Sequence, residues 1–158
     1  MTAPPDAGGG APEDVEVRGS SLTPLIRPGT GLWLLRGYYE THPVGRGELV
    51  AFVPYKGSPV LSKVAYAVAG DRWELKEASG GFRIIINGRA VRNSEGKEFR
   101  IPVSSAGRLA LYAKDYPTLP EDSLLIFGDD PGGSRDSAAF GLVNRRDLAG
   151  RLVLPSAK

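Results

Sequence analysis

Three groups of side chains in this chain of 158 residues have the types that nucleophilic chemistry needs. The first is Ser21-Leu22-Thr23-Pro24, with a serine hydroxyl three residues before a proline. Taken alone, these four residues fit a serine N-cap that opens a short turn, with Pro24 near its start. The second is Lys63, within Val60-Leu61-Ser62-Lys63-Val64-Ala65-Tyr66-Ala67-Val68. Side chains alternate between the faces of a strand, so Lys63 shares a face with Leu61, Ala65 and Ala67. A free lysine has a pKa near 10.4, and only about one in 2,500 is neutral at pH 7. Desolvation disfavours the ammonium form, so a lysine on an apolar face can serve as a neutral base, the role histidine plays elsewhere. The competing expectation is a lysine that snorkels to water from a strand edge. The third group is Gly128-Asp129-Asp130-Pro131-Gly132-Gly133-Ser134-Arg135-Asp136-Ser137, followed by Phe140-Gly141. As structure, it reads as a Gly-rich loop whose Asp and Ser side chains bond their own backbone.

Several other chemistries are excluded. The chain has no Cys, so it has neither a disulfide nor a thiolate site. His42 is its one histidine, between Thr41 and Pro43 in what reads as a loop, so a histidine-based triad is not expected. One His and no Cys cannot supply a structural zinc, and neither a metal nor a cofactor is expected. Pro131 spoils an EF-hand reading of the acidic loop, and no Glu closes it. Asp136-Ser137-Ala138 lacks the glycine of a paired-aspartate protease turn. The formal charge is only +2 and the basic residues are scattered, so nucleic acid is not an implied partner. No segment approaches the roughly 20 apolar residues of a membrane span. The first residues have neither a basic nor an apolar region of the kind that makes a signal peptide.

The elements that must position these groups read as short strands punctuated by Gly, Pro and Asn. Residues 1–14 are expected to be a disordered Pro/Gly/Ala-rich tail, and residues 156–158 a short tail at the other end. Strands are expected at residues 15–18, 31–36, 48–53, 60–68, 72–76, 82–86, 109–113, 123–127 and 148–154. Two of them join as a hairpin around Ser79-Gly80-Gly81, and Asn87-Gly88 carries a second hairpin signal. Helical periodicity is nearly absent apart from one turn at Ser21. The chain is expected to be mostly β, built as several twisted sheets or a partly closed barrel.

Read in order, the three groups join further pieces: Arg46-Gly47-Glu48-Leu49-Val50-Ala51-Phe52, Gly70-Asp71 seven and eight residues after Lys63, and Ile86-Asn87-Gly88. This resembles the type I signal peptidase family (peptidase family S26), the serine–lysine endopeptidases that remove leader peptides. The family's boxes are Ser-Met-x-Pro, Arg-Gly-Asp-x-Val-x-Phe, Lys-Arg followed by Gly-Asp, and Gly-Asp-Asn…Ser-x-Asp-Ser-Arg…Gly. The resemblance runs from about residue 15 to residue 154. It implies a β core at residues 15–155 with a small β subdomain inserted at residues 71–120. It also implies that Ser21 is the nucleophile and Lys63 the general base. Ser134 would orient the lysine, and Asp136 and Asp129 would support the last box. Gly19, Ser20, Leu22, Pro24, Leu61 and Ser62 would lie along the substrate. The implied substrate is the leader segment of a precursor protein, cut after small residues. A monomer is expected, with its catalytic face in contact with a membrane surface. The implied location is the outer face of the cytoplasmic membrane for an anchored protein, or the cytoplasm for a soluble one.

The departures bear on this expectation. Leu22 stands where the family has Met, a change between similar apolar volumes. Glu48 replaces Asp, Val64 replaces the Arg after the lysine, Asp130 replaces Asn, and Ala138 replaces the last-box Arg. Without that Arg, Asp136 needs another partner, such as Arg135 or Arg145. Gly19 stands where some members have a serine that donates to the oxyanion, which leaves the hole to backbone N–H groups, chiefly that of Ser21. Three other readings compete. A self-cleaving repressor shares the dyad, but 20 residues before Ser21 are too few for a helix-turn-helix domain. A peptide-binding module could keep the fold without activity. A maturation peptidase could trim one dedicated precursor.

Overall fold

In the computed structural model, residues 11–17, 22, 25–129 and 137–155 are described. The strands are β1 (Glu13–Glu16), β2 (Gly31–Arg36), β3 (Leu49–Phe52), β4 (Leu61–Ala67), β5 (Trp73–Ala78), β6 (Gly81–Ile86), β7 (Arg89–Ala90), β8 (Ser123–Phe127), β9 (Val143–Asn144) and β10 (Leu148–Val153). Between them lie α1 (Tyr38–Thr41), α2 (Val103–Asp115) and α3 (Ser137–Phe140). The protein is mostly β, as its sequence indicates. Seven strands form one sheet in the order β1-β2-β10-β3-β4-β8-β9, and β5-β6-β7 form another. Every pairing is antiparallel, and among the described residues neither sheet closes into a barrel. β1 opens at Glu13, two residues earlier than expected, so Glu13 and Asp14 belong to the sheet and not to the tail. The rest of the tail expectation, residues 1–10 and 156–158, lies outside the described residues.

The large sheet is buried on both faces at its centre. β4 is almost continuously apolar, as a strand covered on both sides should be. On one face Val64 joins Val17, Leu22, Ile26, Leu32, Leu34, Ala51 and Leu152. On the other, Ala65 joins Tyr39, Val50, Phe52, Leu124 and Ile126. A third cluster binds the sheets together, with Ala67, Leu125 and Phe127 of the large sheet against Trp73, Ile84, Phe99 and Ile101. The Asn87-Gly88 turn joins β6 to β7 as expected. Both residues have positive φ, 50° and 84°, which is the requirement of a two-residue type I′ hairpin.

Residues 109–113 are not a strand; they form the second half of α2. Leu109 and Leu111 look like an alternating pair, but Leu109 is fully buried whereas Leu111 is exposed. The true period is the 3.6-residue stripe of Ala106, Leu109, Tyr112 and Ala113 that packs on the third cluster. Pro102 stands just before the helix, where its missing N–H costs nothing.

α2 also accounts for the glycine that ends the last box. Gly141 has φ +75°, and a Cβ there would overlap the Tyr112 ring. Gly141→Ala is expected to destabilise the fold by about 2–4 kcal/mol, the sum of left-handed strain and overpacking. Urea unfolding of the full chain measures it.

Candidate functional site

Lys63 does not snorkel from an edge. β4 pairs with β3 on one side and β8 on the other, so it is an interior strand. Lys63 stands opposite Val50 of β3 and is only 2% exposed. Its strand neighbours on that face, Leu61 and Ala65, belong with Val50 to a single apolar cluster. The β4–β8 register runs from Val64↔Phe127 to Ala67↔Leu125, whereas β3 covers β4 from Leu61 onward. In that register Leu61, Ser62 and Lys63 pair with β3 alone, and the β8 pairing begins at Val64.

Of the opening box, Leu22 and residues 25–30 are described, while Gly19, Ser20, Ser21 and Pro24 lie outside the described residues. Leu22 has no exposed surface, and its carbonyl accepts a hydrogen bond from Ile26 N at 2.8 Å, closing one tight turn. It sits in the same buried cluster as Val64, the residue after Lys63. Leu22 therefore packs into the core beneath the chain on either side of it. Ile26 is buried in the same cluster.

The last box is described at its two ends. Asp129 is 1% exposed, and its Oδ2 accepts from Leu25 N at 2.9 Å, which ties the opening box to the last one across 104 residues. Its other donors come from Asn93 and Ser94, outside every box, and the sequence reading does not single out either of them. Ser137 is fully buried, and its Oγ accepts from Ile126 N at 2.8 Å, fixing α3 to β8. Ser134 and Asp136 lie outside the described residues. Arg145, one partner considered for Asp136, bonds Asp122 at 2.9 Å and the Tyr39 carbonyl at 2.5 Å among the described residues.

The remaining boxes also meet. Asp71 is 5% exposed and accepts from Val68 N at 2.9 Å and from Asn87 Nδ2 at 3.0 Å; Arg46 Nε lies 3.0 Å from its Oδ2. Asn87 Oδ1 in turn accepts from Arg72 N at 3.0 Å. Arg46, Gly70-Asp71 and Asn87-Gly88 are thus one knot at the far end of β4. Glu48 uses its extra methylene to reach two donors, Tyr39 Oη at 2.8 Å and Gly45 N at 3.0 Å, with Arg151 3.6 Å away. Burial, together with the Glu48 carboxylate, pushes the Tyr39 hydroxyl well above the ordinary phenol range. His42 stacks on Tyr38 with 4.0 Å between centroids, and its Nδ1 lies 3.0 Å from the Tyr38 carbonyl. A cavity of about 450 Å³ beside it, lined by Val68, Glu121, Asp122 and Arg145 among others, holds none of the candidate residues.

The family model described as signal peptidase, peptidase S26 matches residues 11–157, and the chain belongs to that family. It is similar to signal peptidase I of Leptolyngbya laminosa, 27% identical over 139 residues that cover 85% of this chain and 63% of that protein. It is also similar to signal peptidase IB of Staphylococcus aureus strain COL, 23% identical over 145 residues, 86% of this chain and 73% of that one. The chain thus spans less than two thirds of the length of the Leptolyngbya relative. A signal peptidase I from Enterococcus faecalis V583 superposes with a TM-score of 0.48 at 22% identity, over 72% of this chain and 98% of that structure.

The knot at Asp71 gives a test of what the non-catalytic boxes do. Asp71→Ala strands the Val68 N–H and the Asn87 amide and is expected to cost about 2–4 kcal/mol. Asp71→Asn, which keeps an acceptor, is expected to cost less than half as much. Chemical unfolding of both variants measures the difference.

Proposed function

We propose that this chain is a serine endopeptidase that removes leader segments from precursor proteins, with Ser21 as nucleophile and Lys63 as general base. The observation that carries the reading is the position of Lys63, an amine almost without solvent on an interior apolar strand. There, desolvation works against the ammonium form and favours the neutral amine that a base must be. Family membership supports the same reaction class.

In the proposed reaction, neutral Lys63 Nζ takes the proton from Ser21 Oγ, and Oγ adds to the scissile carbonyl carbon. The backbone N–H of Ser21 donates to the resulting oxyanion. The C–N bond then breaks, and the Lys63 ammonium returns its proton to the leaving amine. An ester between substrate and Ser21 remains. Lys63 next deprotonates a water, which attacks the ester, and the proton passes back to Ser21 Oγ as the carboxylic product leaves. Ser134 would hold the lysine on line, as the acid of a histidine triad holds its imidazole. Asp136 would keep the last loop in place, and Asp129 would hold the two loops together. The substrate would lie extended along Leu61 and Ser62, whose β8 side the register leaves open, with Gly19 and Ser20 opposite. Small side chains one and three positions before the cut suit such a shallow cleft. Residues 71–120 would form the inserted subdomain of this catalytic unit.

Ser21→Ala is expected to abolish cleavage of a leader-peptide substrate in a mass-spectrometric assay, and retained turnover would refute the assignment. Lys63→Arg is expected to be equally inactive, since a guanidinium keeps the charge and cannot give up its proton. The kcat/KM profile is expected to rise with pH through an apparent pKa well below that of free lysine. A profile flat from pH 6 to 9 would speak against a lysine base.

A further inference from the structure

Asp129 is almost fully buried, and a buried carboxylate needs hydrogen-bond donors in place of water. Among the described residues, four bonds converge on this residue. Leu25 N donates to Oδ2 at 2.9 Å. Ser94 N donates to Oδ1 at 2.8 Å, and Ser94 Oγ donates to Oδ2. Asn93 Nδ2 donates to the Asp129 carbonyl at 2.9 Å. Three of the four therefore come from two adjacent residues, 35 and 36 positions away in the chain.

Those two residues sit in a turn that is already rigid. Asn93 Oδ1 accepts from Glu95 N and Lys97 N, both at 2.9 Å. Asn93 N donates to the Lys97 carbonyl at 2.8 Å, and Gly96, with φ +82°, donates to the Asn93 carbonyl at 3.0 Å. Asn93 is itself buried; its amide oxygen accepts inside the turn and its nitrogen donates to Asp129. Asp129 is the last described residue before residues 130–136, and Leu25 lies four residues after Ser21. The described residues beside the opening box and at the start of the last box therefore meet at a single carboxylate.

We propose that the Asn93-Ser94 turn is a positioning element for the Ser21–Lys63 site. It fixes Asp129, and through Asp129 it fixes both the loop that carries Ser21 and the start of the loop that carries Ser134. Neither residue touches substrate in this scheme; Ser94 acts through the Asp129 carboxylate and Asn93 through the Asp129 backbone carbonyl. The proposal rests on the peptidase reading above. It gives the segment between β4 and β8 a part in catalysis that no box records. Geometric displacement of a nucleophile by about an ångström lowers rates up to about a hundredfold without loss of binding.

The test uses the full chain as parent, Ser94→Ala and Ser94→Thr, with three readouts: amide hydrogen exchange at Leu25, steady-state cleavage of a leader peptide, and thermal melting. Ser94→Ala is expected to speed Leu25 exchange by at least about tenfold. It is expected to lower kcat by roughly tenfold or more, with KM within about twofold. The apparent pKa of the rate profile should stay where it is in the parent, because Lys63 is not touched. Ser94→Thr, which restores the hydroxyl, should recover both exchange and kcat. If Ser94→Ala does not fold, Asn93→Asp keeps the acceptor inside the turn but removes the donor to Asp129, and it should show the same pattern. The proposal is overturned if Ser94→Ala leaves Leu25 exchange and kcat at parent values. It is also overturned if exchange rises while kcat holds, or if activity falls only with the folded fraction. A parent that cleaves no leader peptide would sink the peptidase reading and the catalytic part of the proposal. Leu25 exchange would then still report whether Ser94 holds the loop.

Discussion

A lysine side chain 2% exposed on a strand that pairs with β3, one residue before its pairing with β8 begins, is the constraint around which this fold is arranged. An isolated ammonium group in such a place would cost several kilocalories per mole in lost hydration. The apolar cluster of Leu61, Ala65 and Val50 on the same face leaves its side chain little access to water. The faces of β4 are filled by two separate apolar clusters, one holding Val64 and the other Ala65. Lys63 is thus held by a large area of packing whose cost of rearrangement far exceeds that of a single side chain.

Two buried carboxylates complete the arrangement by tying loops to the ends of that packed centre. Asp71 gathers Arg46, the Val68 amide and Asn87 where β4 runs out. Asp129 gathers the Leu25 and Ser94 donors where β8 runs out. Each replaces water with several directed donors, and the loss of any one donor leaves part of a charge unsatisfied. Three of the sequence boxes are therefore explained by structure before any chemistry is invoked. Arg46-Gly47-Glu48, Gly70-Asp71 and Asn87-Gly88 are distant in sequence and close in space.

Much of the fold was legible in the sequence where local pattern and tertiary role agree. Residues 31–36 and 123–127 are strands at the expected positions, because their apolar runs and flanking turn residues point the same way. The helix at Val103–Asp115 was hidden because Leu111, outside the buried stripe of Ala106, Leu109 and Tyr112, follows Leu109 by two residues and mimics strand alternation. β7 and β9 are two residues each and leave no periodic signal. At the site, the spacing of Ser21, Lys63 and Gly128-Asp129 identified the family. The link from Asn93-Ser94 to Asp129 joins positions 35 and 36 residues apart and had no sequence pattern to announce it. Whether Lys63 sat at an edge or in the interior depended on β8, which follows it by some sixty residues, and no window around Lys63 contains that fact.

The central claim is that burial keeps Lys63 neutral at working pH so that it can serve as a base. The most direct measurement is an NMR titration of the Lys63 Nζ resonance in the full chain carrying Ser21→Ala, which removes turnover and leaves the lysine in place. The account predicts a midpoint well below the ordinary value of about 10.4 for a free lysine. A lysine that stays fully protonated through pH 9 would contradict it.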